Sequence, residues 1–124
     1  MEKQQLIEQL ETLPAVIMEA QLKTLNLFDN VTFKENEVAR SEADLKTSIA
    51  AETDGGKKLF PNAEAREAEF VIRAGKDADI QDKRTMLAQC KRQLDELKFE
   101  IERLRNTQSN VRVLASIMIE NRNI

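Results

Sequence analysis

The chain has 124 residues, of which 33% are charged and 41% hydrophobic, with a net charge of −3 and neither Trp, Tyr nor His. That length holds one domain, and a 4% aromatic content means that burial comes from Leu, Ile, Val and Ala along extended seams rather than from a compact core. The absence of His and the single Cys90 remove the usual zinc and His-dependent catalytic arrangements and any intrachain disulfide, and no basic field favours nonspecific duplex binding.

An all-carboxylate metal site stays open but has no motif behind it, so the expectation is no enzyme, no cofactor and no metal. Met1-Glu2-Lys3-Gln4-Gln5 is too polar for a secretory signal, and no apolar run approaches the ~20 residues that span a bilayer. A soluble cytoplasmic protein without a membrane partner is therefore expected.

In chain order, the first arm (residues 1–50) carries an apolar series Leu6, Leu10, Leu13, Ile17, Ala20, Leu27 or Phe28, Val31, Val38, Leu45 and Ile49, mostly in steps of three and four. Such a series forms one stripe of a helix. Pro14 interrupts it, Thr24 occupies a seam position, and Asp29-Asn30-Val31-Thr32-Phe33 is rich in poor helix formers. A kink or break at Pro14, with Thr12 capping the restart, and a looser turn near Asn30 are expected.

The connector (residues 51–76) has a different composition. Asp54-Gly55 is a hairpin-type turn signal, predicting a small two-stranded hairpin or an irregular loop. Asn62 is placed to cap a short helix over residues 63–73 that Gly75 ends. Asp77 or Asp79 then opens the last helix with negative charge near its positive dipole end.

The second arm (residues 77–124) has the strongest pattern. Ile80, Leu87, Leu94 and Ile101 stand seven apart, and Cys90, Leu97, Leu104, Val111 and Met118 fill the offset series. Two interleaved series at that spacing make a coiled-coil seam. The fold expected is all-α: an elongated antiparallel helical hairpin or coiled coil, with a short loop or β-hairpin plus a small helix at the tip. Leu45 then faces Ile80 and Leu10 faces Ala115, and at ~1.5 Å per residue arms of about 40 residues make a rod roughly 60 Å long. Cys90 falls on the seam as a small hydrophobe, with neither His nor a second Cys to give it chemistry. Gln108, polar within the same stripe, either fixes register or faces water.

Two regions exceed what a two-helix seam needs. Leu6, Leu10, Leu13, Ile17, Val111, Leu114, Ile117 and Met118 meet in this register and cover more than one helix face. They predict either a homodimer interface or, if the chain folds back at Pro14, a locally thicker intrachain core. At the tip, Lys57, Lys58, Phe60, Arg66 and Arg73 gather positive and apolar groups near glycines. Such groups can contact phosphates and stack on a base of single-stranded nucleic acid, though Asp54, Glu64, Glu67 and Glu69 offset the charge. The other reading is a solvated connector whose Leu59 and Phe60 cap the seam. Asp54-Gly55-Gly56-Lys57-Lys58 lacks the spacing and the Lys-Ser/Thr pair of a phosphate-binding loop. On the last helix, Lys91/Asp95, Arg92/Glu96 and Lys98/Glu102 are spaced as ion pairs on a solvated face.

The order of parts resembles a group of small phage- or prophage-encoded helical-hairpin proteins of uncharacterised function. The features that carry it are the long first helix, the stretch Glu52-Thr-Asp-Gly-Gly-Lys-Lys-Leu-Phe-Pro-Asn-Ala-Glu-Ala-Arg66, and a charged heptad helix ending Leu104-Arg-Asn-Thr-Gln-Ser-Asn-Val-Arg-Val-Leu-Ala115. No active residue is implied. The resemblance implies an accessory role in the host cytoplasm: a binding protein of a phage replication or recombination module, or an inhibitor of a host defence system.

Overall fold

The computed structural model describes residues 2–122. In chain order the elements are α1 (Lys3–Ala51), β1 (Thr53–Asp54), β2 (Lys57–Lys58), α2 (Ala63–Lys76) and α3 (Ala78–Arg122). The protein is all-α apart from the two short strands, which pair antiparallel with Thr53 opposite Lys58 and Asp54 opposite Lys57. The contacts divide into two compact units, one of Met1–Phe28 with Arg92–Ile124 and one of Asp29–Lys91.

In the first unit, Leu6, Leu13, Ile17 and Ala20 of α1 bury against Ile101, Leu104 and Val111 of α3, with Leu10, Leu97 and Met118 packed around them. Leu6 and Leu10 share a cleft with Ala115 and Met118, whereas Gln21 and Leu25 share one with Lys98 and Ile101. Residue numbers thus rise along one helix as they fall along the other within this unit.

Helix α1 continues through Pro14, so the expected break does not occur. Pro14 has no N–H to give the carbonyl of Leu10, yet Leu13 and Ile17 on either side are buried and hold the helical path. Thr12 caps nothing, since its Oγ1 donates back to the Glu8 carbonyl at 2.8 Å. Thr24 does the same to Ala20 at 3.0 Å, which satisfies the hydroxyl at its seam position.

In the second unit, Ile49, Phe70, Ala74 and Ile80 form a small core from all three helices, with Leu45 and Phe60 packed on it. Leu45 thus joins the same cluster as Ile80. No looser turn occurs at Asn30: α1 continues through it, Val31 is buried, and Asn30 Nδ2 donates to Cys90 Sγ at 3.5 Å. Tertiary contact outweighs weak local propensity there.

The turn between the strands is of the primed hairpin type, since both central residues, Gly55 (φ 58°) and Gly56 (φ 80°), have positive φ. Asn62 caps α2, its side chain accepting from Ala65 N at 2.7 Å. The helix passes through Gly75 instead of ending there, because Ala74 is drawn into the core and Asp77 takes the cap. Asp77 serves both neighbours: its N–H donates to Ala74 O, and its Oδ1 accepts from Ile80 N at 3.0 Å to start α3.

Candidate functional site: two surfaces

The connector's cations are largely occupied in holding its own structure. Arg73, from the last turn of α2, forks both terminal nitrogens onto the Glu52 carboxylate, the longer contact being 2.7 Å, while its Nε reaches Glu69 at 2.8 Å. A planar guanidinium fits such bidentate pairing. The hydrogen bonds from Arg73 hold Glu52 below the ordinary carboxylate range, and those to Glu52 and Glu69 hold Arg73 still further above its own. Arg73 also lies over the Phe60 ring, 5.7 Å from its centroid. Arg66 donates to the Phe60 carbonyl at 3.2 Å, and Lys58 Nζ to the Ala50 carbonyl at 2.9 Å.

Of the five tip residues singled out from sequence, Lys58, Arg66 and Arg73 are thus bonded within the unit and Phe60 is half-buried beneath Arg73. Lys57 stands exposed on β2. Phe60 also packs on the core of Ile49, Phe70, Ala74 and Ile80. Sequence reading missed Glu52 and Glu69 as the groups that occupy Arg73. The i,i+4 spacing of Glu69 and Arg73 was legible, but Glu52 lies 21 positions away and carried no signal.

The eight residues expected at an interface separate into two sets. Leu6, Leu13, Ile17 and Val111 are buried within the chain, and Leu10 and Met118 pack on that core. Leu114 and Ile117 remain exposed, at 42% and 47%. Ile7, Val113 and Ile119 of the same unit are exposed as well, and Ile7 and Ile119 line an apolar cleft of about 220 Å³ together with Leu6, Leu10 and Met118. The intrachain seam therefore consumes one face of each helix and leaves a second apolar face.

Cys90 is buried and receives the Asn30 amide, so its thiol is enclosed by the seam. Gln108 is partly exposed. The expected pairs Lys91/Asp95, Arg92/Glu96 and Lys98/Glu102 do not form; Lys91 instead lies 4.0 Å from Glu35 of α1, and Arg103 pairs with Glu100. Among the described residues no three Cys, Asp or Glu side chains are grouped to hold a metal ion, and no helix is long and apolar enough to cross a membrane. Comparison with protein-family models, with curated proteins and with solved structures finds no match to this chain.

Proposed function

We propose that the chain is a noncatalytic antiparallel helical hairpin that self-associates and works by binding another protein, in the accessory role that its resemblance to phage-encoded hairpins implies. The observation that carries this reading is the second apolar face, with Ile7, Leu114, Ile117 and Ile119 each more than two-fifths exposed after the intrachain seam is complete. Full burial of such a side chain is worth about 1.5–3 kcal/mol, and a half-exposed one retains roughly half of that to gain. In a two-fold dimer every contact counts twice. The sum is comparable to the cost of bringing two chains together, so the dimer should depend on concentration.

Sedimentation of the unmodified protein at micromolar concentration tests this and should show a dimer. The double substitution Leu114→Asp with Ile117→Asp should yield monomers with unchanged helical circular dichroism, because neither residue belongs to the buried cluster. A monomer for the unmodified protein refutes self-association.

A further inference from the structure

Along α3, Arg84, Lys91, Lys98, Arg105 and Arg112 recur every seven residues and so lie on one line of the helix. In the unit of Asp29–Lys91, α1 answers the first two with glutamates at the same spacing: Arg84 Nη2 lies 2.9 Å from Glu42 Oε1, and Lys91 Nζ 4.0 Å from Glu35 Oε1. Stepping back by sevens from Glu42 and Glu35, α1 carries Phe28, Gln21 and Pro14, none of which has a carboxylate. In the other unit Lys98, Arg105 and Arg112 accordingly make no ion pair and no hydrogen bond among the described residues. Asp95 and Glu102, their acidic neighbours on α3, are exposed and bridge to none of them.

This open stretch is apolar beside its charges. Lys98 and Arg105 line a cleft of about 460 Å³ with Gln21 and Leu25. Met18, Leu22 and Leu25, spaced by four and three along α1, are each more than half exposed. Cations seven apart next to an apolar stripe form half of a coiled-coil contact, and the chain itself shows the complement at Glu35 and Glu42.

We infer that the face formed by Met18, Leu22, Leu25, Lys98 and Arg105 receives an amphipathic helix of another protein, one carrying carboxylates seven residues apart along an apolar stripe. The apolar side chains hold that helix, its carboxylates set its register by pairing with Lys98 and Arg105, and the same two cations repel basic helices. The inference rests on the protein-binding reading above but uses a different set of side chains from those proposed to self-associate.

The test uses the full chain and a fluorescent synthetic helix about three heptads long, with Leu on its seam and Glu at the flanking positions. A second peptide with Lys in place of Glu is the control. Anisotropy should show binding of the Glu peptide only, weakened about tenfold or more by the double variant Lys98→Glu with Arg105→Glu. That variant should instead bind the Lys peptide, a rescue that loss of folding cannot produce. Equal binding of both peptides, binding of neither, or an unchanged affinity in the variant overturns the inference. If the variant alone alters sedimentation of the protein without peptide, the occupant is a second copy. If an oligonucleotide displaces the Glu peptide, the occupant is nucleic acid. A protein that dimerises yet binds no Glu peptide refutes this inference alone, whereas a monomer that binds it refutes only self-association.

Discussion

Arg73 joins three parts of the connector through one planar group, touching Glu52 beyond the end of α1, Glu69 on its own helix and the Phe60 ring. Because the hydrogen bonds from Arg73 lower the Glu52 pKa in the folded state, Glu52 adds stability above its unfolded value of about 4.3 and loses it as pH falls through the lower folded value. Protection of the β1 and β2 amides, taken relative to the intrinsic exchange rate at each pH, should therefore be level near neutrality and fall in acid below the usual carboxylate range. Glu52→Gln should flatten that fall, while lowering protection at neutral pH. At Cys90 the expectation is kinetic. A thiol enclosed beside Asn30 should react with a thiol reagent only as fast as the seam opens, and rapid stoichiometric labelling of the native protein would contradict its burial. Cys90's place on the seam was legible because heptad spacing is local. The Glu52–Arg73 bridge was not, because it depends on where α2 lies.

At the scale of elements, the boundaries set by short-range chemistry were legible and those set by weak propensity were not. Asp54-Gly55 marks the turn, since its primed geometry needs residues that tolerate positive φ, and Asn62 marks the start of α2 because its side chain reaches a free N–H three residues on. Pro14, the Asn30 region and Gly75 read as interruptions and are not, because Leu13, Ile17, Val31 and Ala74 are each drawn into a core that holds the helix through them. Pro14 is exposed and still deprives α1 of one hydrogen bond. Pro14→Ala should therefore raise thermal stability, by up to about 3 kcal/mol, and calorimetry would detect it. A lower melting temperature would mean that the proline serves the packing around Leu13 and Ile17.

For the whole molecule, the two proposed surfaces should separate by ionic strength. Self-association through Leu114 and Ile117 is apolar and should survive, or strengthen in, high salt, whereas capture of an acidic helix by Lys98 and Arg105 should weaken as salt screens exposed charges. Sedimentation and anisotropy across a salt series would show the two responses diverging, and a parallel response would mean that one surface does both. Periodicity alone determined that the chain is helical and that its helices carry more apolar surface than a single buried stripe each would use. Only the tertiary structure decided which of those side chains are spent. Leu6 and Val111 are buried while Leu114 and Ile117 remain exposed, and Arg84 finds Glu42 while Lys98 finds no carboxylate among the described residues. The physical reason is that helical spacing places residues on a face of their own helix, whereas burial and pairing depend on what stands opposite, and that is set by packing between segments far apart in the chain.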